Sequence, residues 1–114
     1  MSGLRIVSAG IWAILCAILC VTGAGPAAAR TWVVTIEQMR FAPSTLTVHR
    51  GDSVVWVNKD PVAHTVSTDA KGFDSGSIAP EASWHYVVDG AGRHPYACRF
   101  HPVMHGTLIV GPAP

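Results

Sequence analysis

The chain has 114 residues, the length of one domain, and its 8 Lys and Arg nearly cancel its 7 Asp and Glu, for a formal net charge of +1. It has no basic run, which argues against nucleic acid as a partner. It has no strongly acidic patch either, so net charge gives weak steering toward any partner.

The first residues read as an address rather than as fold. Arg5 supplies a positive charge, Ile6 to Val21 is apolar without a charge, and Ala27-Ala28-Ala29 offers small residues before Arg30. This is the pattern of a secretory signal peptide. The expectation is a signal peptide over residues 1–29, cleaved after Ala29, and one domain over residues 30–114. The apolar run is long for a signal, so an uncleaved membrane anchor is the alternative. Cys16 and Cys20 each follow Leu, where a lipoprotein signal needs a small residue, so no lipid anchor is read. The expected location is the periplasm or another exported compartment, with no membrane contact for the mature chain.

After residue 30 the pattern is that of strands. Thr31–Ile36 is rich in β-branched and aromatic residues, with Trp32, Val34 and Ile36 on one face. Phe41-Ala42-Pro43-Ser44 breaks it. Thr45–His49 alternates, Arg50-Gly51-Asp52 turns, and Ser53–Asn58 is apolar on both faces, as a central strand should be. Lys59-Asp60-Pro61 ends that strand. Ser67 to Pro80 is loop-like, Ala82–Val88 reads as a strand, and Asp89–Gly92 as a turn. Pro95 opens a short strand in which Tyr96 and Cys98 share a face. Thr107–Val110 is the last strand. Short strands between Gly and Pro turns predict an all-β sandwich or barrel with one modest core.

Within this frame Cys98, His101 and Met104 form the pattern C-x2-H-x2-M. Thiolate and thioether favour copper, and imidazole accepts both of its oxidation states. A tight loop can turn three such donors toward one ion. A fourth ligand must come from elsewhere, and His64 in Asp60-Pro61-Val62-Ala63-His64-Thr65-Val66 is the best candidate. In the bland alternative, Cys98 and Met104 are core residues and His101 lies on the surface. Cleavage after Ala29 would leave Cys98 as the lone cysteine of an exported chain, where it could not form an internal disulfide; metal ligation explains it. Zinc tolerates Cys and His but gains little from a thioether.

Several stretches now resemble the cupredoxins, the plastocyanin and azurin family of small blue copper proteins. They are Phe41-x-Pro43, Leu46-Thr47-Val48-x-x-Gly51-Asp52, Val55-Trp56-Val57-Asn58, His64-Thr65-Val66, Phe73-Asp74-Ser75-Gly76, Tyr96-x-Cys98 and His101-Pro102-x-Met104-x-Gly106. The short ligand loop is most like that of amicyanin. The resemblance implies a cupredoxin-like Greek-key β-sandwich or barrel and one type 1 copper ion held by His64, Cys98, His101 and Met104. Thr65 stands where many relatives carry an Asn that ties the two ligand loops together. Thr65 and Ser75 are candidates for hydrogen bonds across the loops.

The remaining histidines have simpler readings. His49 sits at a turn, His85 alternates outward between Trp84 and Tyr86, and nothing in the spacing of His94 and His105 demands a second metal site. Trp32, Trp56 and Trp84 read as core or sheet-face residues rather than redox relays. Met39 is not read as a ligand. The expected function is a one-electron carrier cycling between Cu(II) and Cu(I). It would be a monomer that meets its redox donor and acceptor briefly, through Phe100, Pro102 and Val103 around His101. The alternative is a periplasmic copper-binding or copper-delivery protein. An enzyme of the multicopper class needs further centres and a substrate position, so catalysis by this chain alone is not expected.

Overall fold

The computed structural model describes residues 28–69 and 72–114. The expected signal sequence therefore lies outside the described residues, except for Ala28 and Ala29. Seven strands follow: β1 (Thr31–Glu37), β2 (Arg40–Ala42), β3 (Thr45–His49), β4 (Ser53–Asn58), β5 (Ser83–Val87), β6 (Gly92–Ala97) and β7 (His105–Gly111). They form two sheets, ordered β2-β1-β4-β5 and β3-β7-β6. The chain changes sheet after β2, β3 and β5, so β1 pairs parallel with β4, and β3 parallel with β7. The expected all-β sandwich is what forms.

The core lies between the sheets. Val34 and Ile36 of β1, Val54 and Trp56 of β4, Val48 of β3, and Leu108 and Val110 of β7 are buried there. The alternation that makes this possible is visible in β1, where Val33 points outward and is 56% exposed between buried neighbours. β4 is central as expected, flanked by β1 and β5, and Val55 on its other face is also buried. Each fully buried Val or Leu side chain contributes about 1.5–3 kcal/mol of apolar transfer.

Aromatic rings pack together within the core. The Trp56 indole N–H donates to Tyr96 Oη at 3.2 Å, and their rings meet edge to face with centroids 5.6 Å apart. Phe41 packs on Tyr96 from the other side at 4.9 Å. Burial pushes the Tyr96 hydroxyl pKa up to about 12, despite the opposing effect of the Trp56 hydrogen bond. Tyr96 thus stays neutral and serves as packing with a polar tip.

Most strand ends shift by one or two residues, as at β7, which begins at His105 rather than Thr107, and two boundaries differ by more. Residues 40–42 do not break the first strand but double back on it as β2, with Glu37 opposite Arg40. The two-residue turn between them, Gln38-Met39, has both φ angles positive, at 54° and 58°. Such turns usually carry Asn-Gly, and a residue with a Cβ pays about 1–2 kcal/mol for this conformation. β6 begins at Gly92, three residues before Pro95. Pro95 is tolerated because β6 is an edge strand, where a missing N–H need not break a ladder.

Candidate metal centre

The segments that carry His64 and Cys98 meet because their backbones pair. Past β4 the chain turns and enters an extended segment in which His64 bridges Ile78, with N–H···O distances of 3.2 and 2.8 Å. Three residues on, Ser67 pairs with Ala97 at the end of β6, at 3.0 and 2.8 Å. Cys98 is the next residue. The strand alternation of β6 carries one step beyond its end, so Tyr96 and Cys98 are both buried while Ala97 is half-buried. The loop then closes on itself: Met104 N–H donates to His101 O at 2.9 Å, and Cys98 N–H to Met104 O at 3.1 Å.

His64, Cys98 and Met104 are 0%, 1% and 2% exposed. His64 Nδ1 lies 3.7 Å from Cys98 Sγ. The His101 ring is half-buried, with its centroid 5.2 Å from that of His64 and the planes 63° apart. A thiol, two imidazoles and a thioether-bearing loop thus converge at one end of the sandwich. The clustered His64, Cys98 and Met104 match a type 1 mononuclear copper site in donor chemistry: borderline nitrogen with soft sulfur.

The surrounding hydrogen bonds suit these donors. Thr65 N–H points at Cys98 Sγ from 3.3 Å. The Thr65 hydroxyl accepts the Arg99 N–H at 2.9 Å and shares a 3.0 Å hydrogen bond with Ser67. Thr65 therefore ties the His64 segment to the Cys98 loop by main chain and side chain together. Ser75 acts more locally: its hydroxyl accepts the Val66 N–H at 2.8 Å, bracing the strip beside His64 rather than crossing to Cys98. Ser67 also donates to Asp74 Oδ1 at 3.0 Å, and Asp74 pairs with Arg99 at 2.8 Å. That ion pair is exposed, and such pairs are worth about 0–1 kcal/mol.

Two residues at the end of β4 support the site without having been expected to. Asn58 is fully buried; its amide donates to the carbonyls of Val62 and Ile78, and its Oδ1 accepts the Asp60 N–H. Asp60 is buried with a carboxylate oxygen 2.8 Å from His64 Nε2. Burial pushes the Asp60 carboxyl up, but the Met39 N–H, the His64 ring and the Gln38 N–H together hold it below the ordinary value. The signal was present in Asn58-Lys59-Asp60, where a side chain caps the backbone two residues on.

The other histidines stand apart from the centre. His49 and His85 are exposed, His105 is exposed at the start of β7, and His94 is hydrogen-bonded to Gly90 O at 2.8 Å. Met39 is in the β1–β2 turn and 38% exposed. Around His101, Phe100 and Val103 are 52% and 84% exposed, and Pro102 is exposed.

Known proteins carry the same arrangement. A family model described as "Cupredoxin-like domain" matches residues 9–110. The amicyanin of Paracoccus versutus is 29% identical over 83 residues, covering 68% of this chain and 63% of its own length. The chloroplastic plastocyanin of Tetradesmus obliquus is 35% identical over 83 residues, covering 61% of this chain and 57% of its own. The chain thus spans under two thirds of the length of either relative. A solved structure of an amicyanin variant in its oxidized state matches with a TM-score of 0.68 at 28% identity, covering 71% of this chain and 82% of that one. On the match over residues 9–110, supported by the shared sandwich and donor cluster, the chain belongs to the cupredoxin-like domain family.

Proposed function

We propose that this chain is an exported one-electron carrier whose single type 1 copper is held by His64, Cys98, His101 and Met104. The observation that carries the reading is the buried His64–Cys98 pair at 3.7 Å, closed over by the Cys98–Met104 loop. When bound, copper supplies a Cu(II)/Cu(I) couple that a thiolate, two imidazoles and a weak thioether can serve in both states. His64, Cys98 and His101 would carry the strong bonds, and the Met104 thioether a weak one.

The residues of the chain account for the rest. Three of the proposed donors are buried on paired backbone, so they move little when the charge at the site changes. The Thr65 N–H donates to the Cys98 sulfur and holds it in place. His101 is the donor nearest solvent, and the exposed Phe100, Pro102 and Val103 around it suit brief apolar docking of a redox protein. The donor set suits a copper couple that passes one electron at a time, which supports the carrier reading. Residues 1–29 would serve as the export signal, with the mature monomer beginning near Arg30.

The test is voltammetry of the copper-loaded mature chain, paired with a Cu(I) chelator challenge. A carrier gives a reversible one-electron wave and keeps its copper. An irreversible wave with rapid loss of copper to the chelator would replace this reading with copper delivery.

A further inference from the structure

Asp60 stands where three segments meet. Its Oδ1 accepts the Gln38 N–H at 2.7 Å, and its Oδ2 accepts the Met39 N–H at 3.0 Å. The same Oδ2 lies 2.8 Å from His64 Nε2. Its own N–H is held by Asn58 Oδ1 at 3.0 Å, at the end of β4. Asp60 and His64 are 6% and 0% exposed, so water does not compete for these bonds. The β1–β2 turn and the His64 segment are thus joined on one carboxylate, and the backbone N–H of the same residue ties them to the end of β4.

The turn shows how closely this carboxylate is fitted. Gln38 and Met39 are both left-handed, without the Asn or Gly that such a turn normally carries. Their two N–H groups point at the two oxygens of Asp60, which supplies the acceptors. With both oxygens already accepting, the group faces His64 as an acceptor too. The His64 nitrogen that meets it then carries the proton, and the lone pair is left on Nδ1. Nδ1 is the atom that faces Cys98 Sγ.

We infer that Asp60 is the positioning residue of the metal centre: it fixes His64 as the Nε2–H tautomer, aims Nδ1 at the metal position and sets a negative charge behind the ring. The inference rests on the proposed role of His64 as a copper ligand. A carboxylate behind a ligating imidazole orients the ring and raises its basicity. Its charge favours Cu(II) over Cu(I), so Asp60 lowers the reduction potential. The shared carboxylate also couples the ligand to the β1–β2 turn, so His64 cannot rotate without disturbing two backbone hydrogen bonds.

Two measurements test this. The first is ¹⁵N NMR of the His64 ring in the metal-free wild-type chain at pH 8, above the ordinary imidazole titration. The expected result is a protonated Nε2 and an unprotonated Nδ1; the opposite tautomer overturns the inference, whatever any variant does. The second is voltammetry and copper titration of Asp60→Asn beside wild type, with circular dichroism as the fold check. Affinity for Cu(II) should fall 10- to 100-fold, as on loss of similar partners, and by more than affinity for Cu(I). A tenfold difference between the two raises a one-electron potential by about 59 mV. A folded Asp60→Asn chain that melts lower but keeps the wild-type potential would reduce Asp60 to a fold residue and overturn the inference. A wild-type chain with no thiolate-to-copper absorption would instead sink the ligand reading of His64, so the two failures are distinct.

Discussion

Thr65 N–H lies 3.3 Å from Cys98 Sγ, while the hydroxyl of the same residue accepts the N–H of Arg99, the residue after that cysteine. One threonine thus holds both the sulfur and the backbone of the ligand loop. Thr65→Ala keeps the first contact and removes the second. Arg99 is exposed, so water can replace the lost partner, and the change should cost about 0.5–1.5 kcal/mol of stability. Urea denaturation of the metal-free chain measures this, and an unchanged midpoint would mean the tie contributes nothing.

An all-β sandwich or barrel and most of its strands were legible in the sequence, because a half-buried strand must alternate. Trp32, Val34 and Ile36 could be placed inside on that ground, and they are partly or wholly buried. β2 was not legible, because Gln38-Met39 is no turn signal; the turn is supported by Asp60 from 21 and 22 residues away. The grouping of His64 with Cys98 followed from donor chemistry and loop position. Thr65 was a candidate for a bond across the loops, and it makes one to Arg99; the role of Asp60 did not follow, since it depends on distances between segments that no local pattern encodes.

Gly106 marks the place where β7 passes the core ring of Tyr96. A Cβ there would overlap the Tyr96 ring, with its Cε2 only 2.6 Å away. Gly106→Ala must displace that ring and its hydrogen bond from Trp56. Overpacking of this kind costs about 1–3 kcal/mol. Thermal melting, with Trp56 near-ultraviolet dichroism as the local probe, should show both changes; a wild-type melting curve would contradict the packing described.

Asp52 ties the ends of three strands together. Its carboxylate accepts the Arg30 and His49 N–H groups and the Trp32 indole N–H, at 2.9 to 3.0 Å. The Arg30 N–H first, then the His49 N–H, hold its pKa below the ordinary value, against the cost of burial. A depressed carboxylate stabilises the fold above its unfolded pKa, and the gain is lost as pH falls through the folded value. Stability should therefore fall below about pH 4. Asp52→Asn should be less stable at pH 7 by about 2–3 kcal/mol, from weakened charge-assisted hydrogen bonds, and should lose this part of the acid dependence. Parallel pH profiles for the two proteins would count against the role.

Val103, 84% exposed beside His101, should matter to partners and not to the metal. Val103→Glu should slow electron exchange with the physiological partner and leave the copper spectrum in place. Stopped-flow kinetics over a range of ionic strength decide this, and unchanged rates would move the docking face elsewhere.

Met104 should tune the centre rather than hold it. Met104→Leu removes a weak donor and makes the surroundings more apolar, which disfavours Cu(II) and raises the potential. Met104→Gln supplies a harder oxygen and should lower it. The near-equal volume of Leu keeps the cost in stability of the first change under about 1.5 kcal/mol. Wild-type potentials in both variants at full copper occupancy would remove Met104 from the axial position.

The central claim is that the Cys98 thiolate binds copper beside His64. It is tested most directly by the visible spectrum of the Cu(II)-loaded mature chain, compared with Cys98→Ser at equal copper. Wild type should show an intense thiolate-to-copper band, blue or green to the eye, and the serine variant should keep the β fold and lose the band. A colourless wild type at full copper loading, or a variant that keeps the band, would contradict the account.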